Sequence, residues 1–362
     1  MNLIHFDLQR FAEGAGVLVN ATGNYINAYD GSVTAFEGKN TLNPTLKEFY
    51  DTELLENARE KMVYAQFGKK QILPARHGKT VEWRKWNTFD KAEQLTEGVI
   101  PVGQKFGMSS LTGSINQYGT YASITDQLEL HAYDDVILGA TEEMGASMAE
   151  TQEYLIRQAL LTGTNVLYCD NVKEDGTFVS TPTSAAEMGA SDADGWAKLT
   201  PDMIAKAVTK MKKNKVPTIN GRYYCVVTPS VAYDLRKSDA WIEAHKYSAA
   251  QEIFNGEIGE LHGVRFIEDT YAPILTDSLY QNKSGGATYA NFMFGKDAFG
   301  IIDPEDGNAQ MIIHDKDEIG GPLNQFSTIG YKLETNGATI LYQERVLRIM
   351  SVSSNSATDT AN

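Results

Sequence analysis

Seven basic side chains crowd one short reach of an acidic chain. Lys69, Lys70, Arg76, His77, Lys79, Arg84 and Lys85 stand together with Glu82 as the one acid among them, and Trp83 and Trp86 flank the last two cations. Cations interleaved with indoles suit three kinds of chemistry. They can grip phosphates while the rings stack on bases. They can dock on the acidic surface of a partner, where complementary charge fixes register. Or they can guard the edge of a solvated hairpin against aggregation. The whole chain carries 32 Lys and Arg against 47 Asp and Glu, a net charge of −15. That balance repels phosphate and disfavours generic nucleic-acid coating. It also means that each copy offers abundant negative surface to another copy's cations.

The other candidates for chemistry read as ordinary structure. His131 with Asp134 and Asp135 could be drawn as a metal cluster, but acids at a helix start complement its dipole. DPEDGNAQ, from Asp303 to Gln310, lacks the residue order and distal glutamate of a calcium loop and reads as a turn. Met144 and Met148 read as packing residues. FMFGKDAFG has a Gly-Lys pair without the upstream glycine and following Ser or Thr of a phosphate loop, and there is no GxSxG elbow. The reading is therefore not an enzyme, with no catalytic residue, cofactor or metal. Cys169 and Cys225 are the only cysteines. Their separation predicts no disulfide framework and suits a reducing cytoplasm. No apolar run approaches the ~20 residues of a membrane helix, and MNLIHFDLQRFAEGAG lacks the build of a secretory signal.

The elements that must position the basic stretch follow from pattern. Residues 1–43 have little periodicity and read as a mobile arm. Residues 44–68 read as a helix with Asn43 as cap, Pro44 in the first turn and Gly68 as stop. Then KTVEWRKWN alternates as a strand, with Val81, Trp83 and Lys85 on one face and Glu82, Arg84 and Trp86 on the other. SSLTGSINQYGTYASIT is a second strand-like run, and a Gly- and Pro-containing segment from Phe89 to Gly107 lies between. A long hairpin of this kind is marginal alone and suits docking on a partner. Residues 134–163 form the strongest helix, capped by Asp134 or Asp135 and ended by Gly163. Ile137, Ala140, Met144, Met148, Leu155 and Ala159 trace its apolar stripe, with Glu153 and Arg157 paired on another face.

Residues 165–199 read as loop with a turn at Asp175–Gly176. A second helix follows, capped by Thr200, and then RYYCVVTPSVAYDLRKS as strand, turn and short helix. Short strands lead to a closing hairpin turned at Asn336–Gly337 in type I′ geometry, and residues 353–362 read as a polar tail. Strands and helices interleave without a βαβ repeat, so the class is α+β.

The ordered set GKTVEWRKW, LTEGVIPVG, QYGTYASITDQLEL, GRYYCVVTPSVAYDLR, IFNGEIGELHGVRFIEDT, FGKDAFG and GGPLNQFSTIGYK resembles tailed-phage major capsid proteins of the Hong Kong 97-type fold, within them the branch typified by coliphage N-four. MNLIHFDLQRFAEG is also similar to the start of many phage capsid proteins. The resemblance implies an N-terminal arm at 1–43, a helix at 44–68 and an extended loop at 69–125. It implies a peripheral domain at 126–199 containing the spine helix 134–163, and an axial domain at 200–310. Return strands at 311–352 and a flexible tail at 353–362 complete the plan. It implies pentamers and hexamers of an icosahedral shell that encloses double-stranded DNA without reading its sequence, a portal protein as partner, a separate scaffolding protein or none, and decoration proteins. The protein would be made in the bacterial cytoplasm and reside in the virion, with no membrane partner. Contacts between subunits would fall on Lys69, Lys70, Arg76, Trp83, Arg84, Lys85 and Trp86 of the loop and on Phe6, Phe11 and Tyr25 of the arm. An encapsulin-type shell of the same fold is the alternative.

Overall fold

Two strands buried along their whole length set the centre of the fold, Thr288–Phe294 and Val346–Ser351. A strand apolar on both faces must be covered on both. The computed structural model that shows this describes residues 24–26, 33–35, 62–74, 76, 78–86, 89, 91–92, 94, 100, 103–131, 136–238, 241, 257–304, 309–314 and 325–362. The chain falls into two compact units, one of residues 56–118, 145–309 and 333–362, the other of 1–55, 119–144 and 310–332.

In the first unit a seven-stranded sheet runs Glu257–Leu261, Val264–Glu268, Tyr223–Val227, Thr288–Phe294, Val346–Ser351 and Val166–Tyr168, with Ile274–Leu275 paired on Thr288–Phe294. Parallel and antiparallel neighbours alternate irregularly, as α+β implies. Helices Pro201–Lys213 and Pro229–Lys237 start where the Thr200 and Thr228 hydroxyls accept the amides of Met203 and Val231, each with proline at the first turn. Their buried faces, Met203, Ile204, Ala207, Val208 and Met211 on one and Val231, Ala232 and Leu235 on the other, join Phe266, Phe292 and Phe294 in one core. The second unit contains the short helix Asp126–His131 and the paired strands Asn24–Ile26 and Val33–Ala35, with Tyr25 opposite Thr34.

Several sequence expectations change. The chain expected to end a helix at Gly68 forms a 3-10 turn at Tyr64–Gln66; Asn43 and the rest of that helix lie outside the described residues. The long helix is Val136–Leu161, with Asp134 and Asp135 outside the described residues. Of its expected stripe only Met148 is fully buried; Thr141, Ala149, Glu153, Ile156, Arg157 and Leu160 share that burial. Polar side chains can sit on the inner face because backbone groups are there to receive them. Residues 165–199 are not loop but hold a four-stranded sheet of Asn171–Val172, Phe178–Ser180, Ala190–Ser191 and Gly195–Trp196. The expected turn at Asp175–Gly176 is present.

The closing hairpin is absent as such. Phe326–Thr335 lies in a sheet with Ala309–His314 and Asn116–Thr125, whereas Thr339–Ile340 pairs with Phe299–Pro304. Gly337 has a positive φ of 65° but Asn336 does not, so the turn is not type I′. The Asn336 side chain instead accepts the Ile302 amide at 2.9 Å. The polar tail is hydrogen-bonded to distant parts of the chain. Ser354 bonds both oxygens of Asp234, Asp359 accepts from Ser230 and Tyr289, and the Asn362 amide donates to the carbonyls of Thr270 and Ala272. A polar segment stays ordered when its groups satisfy buried partners.

Candidate inter-subunit surface

Strands Thr80–Trp86 and Met108–Ser114 form the hairpin, in antiparallel register from Thr80 opposite Ser114 to Trp86 opposite Met108. Its alternation follows the sequence pattern. Trp83 is buried and Val81 and Lys85 half-buried, while Glu82, Arg84 and Trp86 face solvent. The Trp83 indole packs with Ile115, Ile302 and Leu341. It lies flat between Gly113 and Gly300, where a methyl group at either position would come within 2.8 Å of the ring. Only glycine permits that approach, so the hairpin is seated by shape on Phe299–Pro304. Lys69 and Lys70 are not part of the hairpin. Their strand, Lys69–Leu73, runs parallel to Phe299–Pro304, with Lys69 opposite Gly300. Arg76 is exposed with a positive φ of 67°.

The turn that leads into Lys69 is held from behind. The Glu153 carboxylate accepts the amides of Tyr64 and Ala65. Burial pushes its pKa up to about 7 against the lowering effect of those two bonds. Asp269 is raised by burial too, and the Arg157 guanidinium beside both donates to the Tyr271 carbonyl.

Next to the seated indole, a cleft of about 430 Å³ is lined by Lys69, Arg84, Lys85, Asp297, Tyr342 and Arg345 among others. Lys85 lies over the Tyr342 ring at 4.5 Å and Arg345 at 3.8 Å, within cation–π range. An adjoining cleft of about 290 Å³ adds Lys215 and Glu344. Arg84 makes a 3.7 Å pair with Glu82 that is open to solvent and so contributes little. Among the described residues, Lys69, Lys85 and Lys215 have no carboxylate partner.

At the outer end of the hairpin three rings stack in the open. Trp86 and Phe106 are parallel at 4.4 Å, Phe89 and Phe106 at 5.3 Å, and each of the three is 58% exposed. Ile100 is 92% exposed. These rings leave an apolar cluster in water.

The structure thus brings together Trp83, Arg84, Lys85 and Trp86, and brings Lys69 to them from the parallel strand. Phe6 and Phe11 lie outside the described residues, and Tyr25 is described through its backbone alone. Sequence reasoning missed Tyr342, Arg345, Phe89 and Phe106. The tip aromatics were legible in principle as rings at either end of the Gly- and Pro-containing segment; Tyr342 and Arg345 gave no local signal. Among the described residues no group of His, Cys, Asp and Glu could hold a metal, and no helix is long and apolar enough to cross a membrane.

A family profile described as phage capsid protein matches residues 109–332. Among solved structures, the chain is similar to the capsid of cyanophage P-SCSP1u, at 15% identity and a TM-score of 0.56 over 81% of this chain and 89% of that one. It is similar to the capsid of Ralstonia phage GP4, at 16% and 0.56 over 81% and 92%. The capsid of Helicobacter pylori bacteriophage KHP30 matches at 11% and 0.57 over 80% and 91%. No curated protein sequence matches.

Proposed function

The chain belongs to the phage capsid protein family, and from that premise we propose that its copies close into an icosahedral shell around the double-stranded DNA of a tailed phage or prophage. The fold is the Hong Kong 97-type capsid fold, and the protein is a major capsid protein, a component of the virion. Its role is structural. The motif set favours the branch typified by coliphage N-four. Synthesis in the host cytoplasm, a portal protein at one vertex, and separate scaffolding and decoration proteins belong to the same reading.

The observation that carries the reading is the exposed stack of Trp86, Phe106 and Phe89 on a hairpin whose base is locked by Trp83. A rigid base with an apolar end in solvent is built to reach a neighbour. A closed shell needs such contacts to repeat by rotation. The cations of the hairpin add register on an acidic neighbour, and the negative chain lets enclosed DNA slide past the wall. Phe6, Phe11 and Tyr25 give the arm anchors for a neighbour's groove. The extended loop, peripheral domain and axial domain keep the boundaries given above, except that the hairpin proper is Thr80–Ser114.

Light scattering on the purified chain tests this. The wild type grows into assemblies far above monomer size, and Trp86→Ser with Phe106→Ser, at positions already exposed, leaves the fold intact and prevents growth. Growth equal to wild type in that variant would remove the hairpin from the contact.

A further inference from the structure

Four ionisable side chains meet inside the first unit, where the long helix, the turn before Lys69 and the chain after Val264–Glu268 converge. Tyr64, Glu153, Arg157 and Asp269 are each at most 6% exposed. Two carboxylates therefore share one guanidinium. The Tyr64 and Ala65 amides donate to the Glu153 carboxylate at 3.1 and 3.4 Å. Arg157 donates to the Tyr271 carbonyl and, at 3.4 Å, to the Asn362 side chain, which also bonds Thr270, Ala272 and Ile274. One Asp269 oxygen accepts the Tyr271 amide at 3.0 Å. Its other oxygen, the Arg157 Nε and the Tyr64 hydroxyl are buried without a hydrogen-bond partner among the described residues. In so poorly satisfied a site a second negative charge is costly.

We infer that Glu153, Arg157 and Asp269 form a proton-operated latch. With one proton held between the two carboxylates, the turn Tyr64–Gln66 stays docked on the long helix. Loss of that proton to water frees the turn and loosens the strand Lys69–Leu73 that follows it. The charge count drives this: one ionised acid balances Arg157, and a second is left uncompensated in the interior. The two acids titrate as a coupled pair. Burial raises Glu153 to about 7 and raises Asp269 as well. The other titratable groups beside the site stay neutral, because burial also raises the Tyr64 hydroxyl and the Cys225 thiol. The sign follows: the docked turn binds the proton more tightly than the open one, so acid closes the latch and alkali opens it. Because Lys69–Leu73 runs beside Phe299–Pro304, where Trp83 is seated, the latch sets how firmly that support is held. The latch is a property of the single subunit and does not depend on the proposed function.

Hydrogen exchange of the full chain, followed across pH and divided by the intrinsic rate, tests the latch directly, since the Tyr64 and Ala65 amides donate to Glu153 itself. In the wild type their protection falls by about tenfold or more from about pH 5 to about pH 8, while the amides of the central strand Thr288–Phe294 stay better protected throughout. Glu153→Gln keeps an acceptor that cannot ionise, and its Tyr64 and Ala65 protection is independent of pH. Asp269→Asn removes one of the two acids, and the fall moves to higher pH, because Arg157 then balances the ionised Glu153 and the latch stays closed further into alkali. Wild-type protection that does not change with pH overturns the inference. So does protection at Tyr64 and Ala65 equal to that of the central strand at every pH, since the turn would then open only with the whole subunit. A fall that stays at the wild-type pH in Asp269→Asn overturns the shared proton. Should Asp269→Asn fail to fold, the wild-type and Glu153→Gln profiles decide. The readout needs no assembly, so its failure is separate from failure of the shell.

Discussion

The Glu153 carboxylate accepts the backbone amide of Tyr64 at 3.1 Å across 89 residues of sequence, tying the long helix to the turn that opens the Lys69 strand. Burial raises this acid from its ordinary 4.5 to about 7. A carboxyl raised by folding favours the native state while protonated. Its contribution is complete below the unfolded value of 4.5 and is lost as pH rises through about 7. Asp269, also raised by burial, acts with the same sign. The melting temperature should therefore fall from about pH 4.5 to about pH 7, with a stability loss of roughly 3 kcal/mol from Glu153. Glu153→Gln keeps a neutral acceptor and should flatten that fall. An unchanged pH slope in the variant would remove Glu153 as its source.

Trp83→Ala should unseat the hairpin at a cost of about 3–5 kcal/mol, since its indole fills the space left by Gly113 and Gly300. Gly300→Val should do similar damage from the other side of the ring. Denaturant melts measure the loss, and hydrogen exchange locates it. Protection that drops across Thr80–Ser114 before the central sheet is the expected pattern.

Arg84→Glu with Lys85→Glu should weaken assembly while leaving the subunit folded, because Arg84 is exposed and, among the described residues, its ion pair is the solvent-open one with Glu82. Wild-type yield of assemblies from this double variant would show that the basic run plays no part in association.

Asp359→Ala should release the final residues. Its carboxylate takes the hydroxyl of Ser230 at 2.5 Å and that of Tyr289 at 2.7 Å. Leaving the buried Tyr289 hydroxyl and the half-buried Ser230 hydroxyl unpaired costs about 1–3 kcal/mol. Amide exchange in residues 353–362 should rise to the level of exposed loops, and exchange unchanged from wild type would place the anchor elsewhere.

What the sequence disclosed and what it hid divide along physical lines. Local chemistry was legible. Thr200 followed by Pro201 marked a helix start, and the alternation through Trp83 put the correct face inward. Long-range pairing was not. Nothing near Lys69 shows that its strand runs beside Phe299–Pro304, and nothing near Asn336 shows that its side chain will serve Ile302 rather than turn a hairpin. Glu153 and Arg157 fit a solvent-facing pair by spacing alone; their burial follows from amides and carbonyls supplied by distant segments. In sequence the tail reads as free because its polarity is local and its partners Asp234, Ser230 and Tyr289 are distant. At the candidate site, the basic and aromatic residues were visible in sequence, whereas the cleft round Tyr342 exists only once five separate segments meet.

Electron microscopy of the purified chain, across a range of salt and crowding conditions, tests the capsid account most directly. The account predicts rings or closed shells built from this polypeptide alone or with a scaffolding partner, with the hairpin of each subunit lying on its neighbour. A chain that remains a folded monomer in every condition, with its Trp86, Phe106 and Phe89 stack still open to water, would contradict it.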